Sequence, residues 1–204
     1  MLGGWIVYFI FYFLTENLIP YDSCHLVHCA LDDIIPFNEY FAIFYCSWYL
    51  LIVASLLYFL LYDVESFKKL QIFIICTQVI AMICYICYPT IQDLRPDEFT
   101  RSNVFTWLMG FIYQADTPTG VCPSLHVAYS MGIMSVWLKN KKLKPIGKFL
   151  IAALCIMISI STAFVKQHSC VDIICAVVMC FFIELFVFRK RYFGVNRKFL
   201  QKSN

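Results

Sequence analysis

The sequence predicts an all-α membrane protein with six transmembrane helices in one domain, residues 1–204. Hydrophobic residues make up 61% of the chain and charged residues only 14%, whereas a soluble domain carries roughly 25% charged residues. A soluble fold with this much apolar surface would expose large hydrophobic patches. Apolar stretches close to the ~20 residues that a bilayer core requires of a helix recur along the chain, and basic residues cluster between alternate stretches.

Six apolar stretches are interpreted as the transmembrane helices. The fourth, at about 15 residues, is the shortest. The first begins at Met1 but has neither a basic n-region nor a small-x-small cleavage site, so it is interpreted as a retained helix. The predicted helices cover residues 2–19, 40–62, 70–89, 124–138, 147–165 and 170–188.

The distribution of charge predicts the orientation. Thirteen of the sixteen Lys and Arg residues follow the second, fourth and sixth predicted helices, so this side and both termini are expected to be cytoplasmic. The net charge of +3 is therefore a topology signal, and nucleic-acid binding is not expected because no basic groove with stacking aromatic residues is visible. These thirteen residues are Lys68, Lys69, Lys139, Lys141, Lys142, Lys144, Lys148, Arg189, Lys190, Arg191, Arg197, Lys198 and Lys202.

Three segments are predicted on the outer face. Residues 20–40 carry apolar side chains and are interpreted as a strap that lies on the membrane surface or folds back over the helices. Residues 90–123 form the longest non-apolar stretch and are interpreted as a functional loop. The third is the short turn VKQHS. His25 and His28 in the strap are interpreted as solvated or interfacial side chains, because two further metal ligands are only loosely placed beside them.

Most of the eleven cysteines lie within the apolar stretches, where they behave as small hydrophobic residues. Cys84 and Cys87 form a CxxC in mid-helix without a second pair, so no zinc site is predicted there. Four cysteines lie on or near the outer side, where a disulfide is conceivable although their spacing forms no pattern: Cys24, Cys29, Cys122 and Cys170.

The stretch TGVCPSLHVAYS places a histidine at the start of an apolar helix. Pro123 restricts the chain and Ser124 is a good N-cap, so a helix is predicted to begin at Leu125 with His126 in its first turn. The free backbone N–H groups of that turn and the helix dipole form an anion site. His126 is therefore placed to meet a phosphate ester. The alternative is an interfacial histidine at an N-capped transmembrane helix.

A second histidine lies in STAFVKQHSCVDII. His168 and Asp172 are four residues apart, so on a helix they share one face. An ionised carboxylate inside an apolar helix needs a partner, and pairing with an imidazole N–H would leave the other ring nitrogen nucleophilic. Lys166 adds a nearby cation. Arg95, in LRPD on the same outer side, has a planar fork that suits phosphate oxygens.

The two histidines, the carboxylate, the two cations and the helix start are predicted to lie together on the outer face of the membrane. They do not form a set of metal ligands. Covalent phosphoryl transfer without a metal requires a nucleophile, an acid for the leaving oxygen and cations for the equatorial oxygens. The two histidines are therefore predicted to serve one site, with no metal and no other cofactor.

On these residues the chain resembles the type 2 phosphatidic acid phosphatase superfamily, whose signatures are KxxxxxxRP, PSGH and SRxxxxxHxxxD. They correspond to YPTIQDLRP (88–96), PSLH (123–126) and STAFVKQHSCVD (161–172). The resemblance covers residues 40–188 and implies the six-helix bundle of that superfamily.

The resemblance also implies a role for each matching residue. His168 would be the nucleophile that forms a phosphohistidine, and Asp172 would orient it. His126 would protonate the leaving group and then activate water. Arg95 and Ser124, with the backbone N–H groups of residues 124–126 including Leu125, would bind the phosphate.

Three positions depart from the signatures. Tyr88 stands at the first lysine, Leu125 at the glycine of PSGH and Thr162 at the arginine of the third signature. Two phosphate-binding cations are therefore absent from their expected places, and Lys166 is predicted to supply one of them. Asp116, in QADTPTG, is interpreted either as a residue that orients the arginine or a substrate hydroxyl, or as a turn aspartate.

The resemblance implies an integral membrane lipid phosphatase of phospholipid metabolism, a phosphoric monoester hydrolase with its active site on the outer face. Expected substrates are phosphatidate, phosphatidylglycerol phosphate and polyprenyl diphosphate. The PSLH and KQH forms resemble the branch that includes inositol phosphorylceramide synthases, so a phosphodiester head-group transferase is the alternative. A non-catalytic lipid transporter or scaffold is a third interpretation. The small size and the lack of an Asn-x-Ser/Thr acceptor in the outer loops favour a bacterial cytoplasmic membrane.

Overall fold

A computed structural model describes residues 2–189. Met1 and the basic residues from Lys190 onward, which enter the predicted topology, lie outside the described residues. This part of the chain is mostly helical, and a two-residue strand from the strap pairs in parallel with a second one after the fourth helix. The elements are α1 Leu2–Leu18, β1 His25–Leu26, α2 Ala30–Ile34, α3 Ala42–Tyr62, α4 Val64–Cys87, β2 Thr90–Ile91, α5 Val104–Ala115, α6 Leu125–Lys139, α7 Pro145–Phe164 and α8 Cys170–Val187.

Four helical segments among the described residues are long and apolar enough to cross a membrane. α1 and α6, which correspond to the first and fourth predicted spans, have 17 and 15 residues. Large apolar side chains such as Leu50 of α3 and Phe182 of α8 are exposed, which fits helices surrounded by lipid. The four segments are Glu39–Tyr62, Val64–Cys87, Pro145–Phe164 and Cys170–Val187.

The third predicted helix was placed wrongly at its start. α4 begins at Val64 rather than at residue 70, because the Asp63 side chain caps it by accepting a hydrogen bond from the backbone N–H of Ser66 at 3.2 Å. Lys68 and Lys69 therefore lie within α4 and not in a loop. Long lysine side chains can lie along a helix end with the ammonium in water, so these charges do not interrupt it.

The predicted loop over residues 90–123 contains a helix that the sequence analysis missed. α5 begins after Asn103, whose side chain accepts two backbone N–H groups of the first turn, at 2.9 and 3.0 Å. Trp107 and Phe111 are exposed on its surface. A 12-residue helix with exposed aromatic side chains fits a position in the membrane interface.

The strap, residues 20–40, folds back over the helices, which is one of the two positions that the sequence allowed. β1 pairs with β2, and the backbone N–H of Asn38 donates to the carbonyl of Phe164 at the end of α7, at 3.0 Å. Within α2, the buried carboxylate of Asp32 accepts hydrogen bonds from the start of α8. The strap therefore covers the turn between α7 and α8.

The hydrophobic core lies between α3, α4, α6, α7 and α8. Phe73, Ile133 and Ile158 are fully buried there. Gly132 lets α4 and α6 approach closely, since a Cβ at this position would lie 2.6 Å from the Phe73 ring. This packing brings the N-terminal ends of α6 and α8 together.

Candidate active site

His168 and Asp172 meet at the start of α8. Ser169 caps this helix, and its backbone N–H donates to the Asp172 carboxylate Oδ2 at 2.9 Å. His168 Nδ1 lies 3.4 Å from the same oxygen, a long separation of the kind that shortens when a substrate binds. Asp172 is fully buried and its Oδ1 has no hydrogen-bond partner in the described structure. An imidazole with Nδ1–H directed at a carboxylate presents Nε2 as the free nucleophilic nitrogen.

His126 lies beside this pair, in the first turn of α6. Its ring centroid is 5.8 Å from that of His168. Trp48 and Tyr45 of α3 cover it, with ring centroids at 4.1 and 4.4 Å. The structure therefore brings together the two histidines that lie 42 positions apart in the sequence (168 minus 126).

Ser124 joins the two helix ends. It is fully buried, its hydroxyl accepts from the backbone N–H of Val127 at 3.5 Å, and its own N–H donates to the carbonyl of Asp172 at 3.3 Å. The backbone nitrogen of Ser124 is thus already engaged. Leu125 and His126 belong to the first turn, whose N–H groups have no acceptor within the helix.

Arg95 is held by one side chain and three carbonyl groups. Nη1 donates to the carbonyls of Tyr113 and Asp116 at 3.1 and 3.0 Å, and Nη2 donates to that of Thr117 at 3.2 Å and to Gln167 Oε1 at 2.6 Å. The guanidinium also lies 4.7 Å from the centre of the Tyr113 ring. These contacts fix Arg95 next to the residue that precedes His168.

Asp116 lies within the same network. Its Oδ1 accepts a hydrogen bond from the Tyr12 hydroxyl of α1 at 3.1 Å. Burial raises the pKa of this carboxyl above its ordinary value, and the Tyr12 hydrogen bond and the charges of His168 and Arg95 lower it in part. Asp116 is thus close enough to both residues for their charges to act on its carboxyl group.

The raised pKa of Asp116 predicts how stability depends on pH. The contribution of this carboxyl to the free energy of unfolding is complete below its ordinary pKa of 3.8. It is lost as the pH rises through the higher pKa of the folded state. Asp116→Asn stays neutral and can still accept from Tyr12. We expect the variant to unfold at a higher temperature than the parent protein at pH 7 and at nearly the same temperature at pH 4.

Thermal unfolding measured between pH 4 and pH 7 checks this expectation. The exposed Asp93→Asn is the matched control, and its unfolding temperature should stay at the parent value. A difference between Asp116→Asn and the parent that is the same at every pH would contradict the assignment.

The side chain of Lys166, in the turn after α7, contacts the strap. Its backbone has a φ of 54°, in the left-handed region, and its ammonium donates to the backbone carbonyl of Asp32 at 2.7 Å. Lys166 therefore ties the turn before His168 to the strap. A contact between Lys166 and a phosphate stays a prediction.

Two departures from the signatures have defined surroundings. Tyr88 is exposed and stacks on His25 of the strap, with ring centroids 4.0 Å apart. Thr162 is fully buried, and its carbonyl accepts from the backbone N–H groups of Gln167 and His168 at 3.0 and 3.2 Å. Thr162 thus supports the turn that carries His168.

Gln167 and Trp48 belong to the site although they were not predicted from the sequence. Gln167 holds Arg95, and the Trp48 ring packs against that of His126 at an angle of 32°. The position of Gln167 between Lys166 and His168 in KQH was a usable signal. Nothing in the sequence distinguishes Trp48 from the other aromatic residues of α3.

Four buried side-chain nitrogens around the histidines have no hydrogen-bond partner in the described structure. Leaving a buried donor unpaired costs about 1–3 kcal/mol, so native proteins keep few of them. A ligand with several acceptor oxygens, such as a phosphate, would satisfy groups of this kind. The four atoms are Trp48 Nε1, Arg95 Nε, His126 Nε2 and Gln167 Nε2.

Within the described residues, the His, Cys, Asp and Glu side chains with metal-ligand separations are Cys29, Asp32 and Cys170, between the strap and the start of α8.

Comparisons with models of protein families, with the curated proteins and with solved structures find no match for this chain.

Proposed function

We propose that this protein is a membrane phosphatase that hydrolyses a lipid phosphate or diphosphate through a phosphohistidine on His168. The observation that carries the proposal is the buried pair of His168 and Asp172 beside His126, at the adjoining starts of two helices. The resemblance to the type 2 phosphatidic acid phosphatase superfamily points to the same chemistry.

In the proposed first step, His168 Nε2 attacks phosphorus while Asp172 holds the Nδ1 proton and stabilises the imidazolium that forms. The bond from phosphorus to the lipid oxygen breaks, and His126 donates a proton to that oxygen. Proton transfer of this kind contributes roughly 10²–10⁴-fold in rate.

In the second step, His126 acts as a base. It takes a proton from a water molecule, the water oxygen attacks phosphorus, and the bond to His168 Nε2 breaks. Inorganic phosphate leaves and both histidines return to their starting states. Because the first step leaves His126 without its proton, the same side chain can serve both steps.

The charge of the phosphate is met by donors fixed before the substrate arrives. α6 begins at the site, the N–H groups of Leu125 and His126 in its first turn have no acceptor within the helix, and helix N-termini favour anions. Gln167, which precedes His168, has an unpaired nitrogen. Arg95 beside it offers its charge and its unpaired Nε, because both Nη atoms already donate to other acceptors. Donors preorganised in a water-poor site stabilise developing charge more than the same donors do in water.

An apolar groove supports a lipid as the substrate. A cavity of about 250 Å³ lies between α6, α7 and α8. Val127 and Ile173, which line it, directly follow His126 and Asp172 in the chain. The groove therefore reaches the same ends of α6 and α8 as the proposed site, so a hydrocarbon chain bound in it would lie near the phosphate.

Six crossings are part of the proposal, with α1 and α6 crossing beside the four longer segments. A helix of 15 residues is about 22 Å long, which is short for a hydrocarbon core of about 30 Å. The His126 end of α6 would then lie slightly below the outer membrane surface. Both termini would face the cytoplasm, and we propose a bacterial cytoplasmic membrane as the host.

A head-group transferase is the second candidate, and it rests on the PSLH and KQH forms of the signatures. In that reaction an alcohol such as inositol replaces water in the second step. The same two histidines and Asp172 would act.

The proposal is tested by phosphate release from the protein purified in detergent. Phosphatidate, phosphatidylglycerol phosphate and polyprenyl diphosphate are supplied separately, and a parallel tube contains a phospholipid donor and inositol. We expect inorganic phosphate from at least one lipid phosphate. Folded protein that releases none would contradict the phosphatase, and a new inositol lipid would favour the transferase.

Gln167→Ala tests the support of Arg95. Loss of the 2.6 Å hydrogen bond frees the guanidinium to move, and a displacement of about 1 Å at a reacting centre can cost roughly 10²-fold. We expect kcat/KM for the best lipid phosphate to fall between about tenfold and a hundredfold. Gln114→Ala on the exposed surface of α5 is the matched control, and an equal effect of both changes would contradict this role.

A further inference from the structure

The strap and the start of α8 meet around one buried carboxylate. Asp32 is 2% exposed. Its Oδ1 accepts from the backbone N–H of Cys170 at 2.8 Å, and its Oδ2 accepts from the Ser169 hydroxyl at 2.5 Å and from the backbone N–H of Cys29 at 2.8 Å. Three donors from the strap and the start of α8 therefore converge on this carboxylate.

Two thiols lie beside this carboxylate. The sulfurs of Cys29 and Cys170 and a carboxylate oxygen of Asp32 all lie within 4.8 Å of one another. The Cys29 and Asp32 ligands come from one turn of the strap, and Cys170 is the first residue of α8. Three soft or anionic ligand atoms are therefore gathered from segments far apart in the chain.

The separation suits a tetrahedral metal site. Zn²⁺ binds thiolates at about 2.3 Å and carboxylate oxygens at about 2.0–2.2 Å, so ligand atoms around it lie roughly 3.4–3.8 Å apart. Small side-chain rotations would bring the three atoms to that spacing. A carboxylate offers about four acceptor positions. Three of those of Asp32 accept from Ser169, Cys170 and Cys29, and the fourth faces the Cys170 thiol, whose proton would leave when a metal binds.

We propose that Cys29, Asp32 and Cys170 bind one thiophilic divalent cation of the Zn²⁺ type, which fastens the strap to the start of α8. The two thiols lose their protons to solvent as the two metal–sulfur bonds form, and water completes the coordination. Two thiolates and one carboxylate supply three negative charges against two positive ones. The N-terminal dipole of α8, an 18-residue helix, stabilises the remaining negative charge.

This cation is structural and takes no part in phosphoryl transfer. Its ligands differ from the residues proposed for catalysis, although Cys170 lies two positions after His168. The inference rests on the geometry of the strap and does not depend on the proposed phosphatase. Its test therefore uses a spectrum and metal content, which stay informative if the protein hydrolyses no lipid.

Cobalt titration of the purified protein tests the proposal. The full chain in detergent is treated with chelator and reductant, freed of both, and titrated with Co²⁺. We expect thiolate-to-cobalt charge-transfer absorption that saturates at about one Co²⁺ per chain and disappears when Zn²⁺ is added. Elemental analysis should then find about one zinc per chain.

Single thiol replacements identify the ligands. Cys29→Ser and Cys170→Ser should each weaken Co²⁺ binding at least about a hundredfold, given the cost of losing one thiolate ligand. Cys24→Ser, also in the strap but outside the cluster, should bind as the parent does. Gel filtration and circular dichroism of each variant show whether it is folded.

Three results would overturn the proposal. The first is the absence of the absorption from folded, fully reduced protein, and the second is its persistence when Cys29→Ser and Cys170→Ser are combined. The third is a Cys29–Cys170 disulfide in the protein as purified, detected as thiols that resist alkylation until reduction. A disulfide would make the fastening covalent and leave no thiolates for a metal.

Discussion

His168→Asn should abolish phosphate release from every lipid phosphate that the parent protein hydrolyses. The amide side chain cannot form the covalent intermediate, and loss of a catalytic nucleophile lowers kcat by about 10⁴-fold or more. Asparagine can still donate a hydrogen bond towards Asp172, so the helix start should stay intact. Steady-state release with the best substrate, together with thermal unfolding of both proteins, measures the effect.

His25→Asn is the matched control for this change. His25 is an exposed histidine of the strap that stacks on Tyr88, and its replacement should leave the rate within about twofold of the parent, as for surface positions away from the site. If folded His168→Asn kept a tenth or more of the parent activity, His168 would not be the nucleophile.

His126→Asn should have an effect that depends on the leaving group. For an alkyl lipid phosphate, loss of the general acid should slow the reaction by about 10²–10⁴-fold. An aryl phosphate with a good leaving group needs little protonation, so its first step should be nearly unchanged. The second step still lacks its base, so the phosphoenzyme should accumulate.

Rapid-mixing measurements with a chromogenic aryl phosphate separate these steps. We expect a burst of the released phenol, about equal to the enzyme concentration, followed by slow turnover. His28→Asn, which removes a strap histidine paired with Asp33, should show the steady-state behaviour of the parent. Equal slowing of the alkyl and aryl substrates by His126→Asn, without a burst, would contradict its role as acid and base.

Local signals in the sequence predicted most helix positions. Ser124 caps α6 as predicted, and the predicted pairing of His168 with Asp172 is found at the start of α8. Lys68 and Lys69 near the start of α4 were interpreted as a loop because they are charged, although Asp63 ahead of them is a helix-capping residue. α5 was missed because its polar flanks dominate the composition of residues 90–123.

Contacts between distant segments could not be predicted from the sequence. Arg95 is bound mainly by backbone carbonyls, and because every residue type carries one, the sequence does not indicate them. The place of Trp48 against His126 depends on how α3 packs on α6. Lys166 was interpreted from its charge alone, whereas its contact with Asp32 depends on the path of the strap.

The most direct test of the account is isolation of the covalent intermediate. Folded His126→Asn is mixed with an aryl phosphate, quenched within milliseconds in alkali, digested and examined by mass spectrometry. We predict one phosphate on His168, in an acid-labile and alkali-stable linkage, and none on the same peptide of the double variant that also carries His168→Asn. Substrate turnover without any phosphorylated peptide, or phosphate on another residue, would contradict the phosphohistidine mechanism.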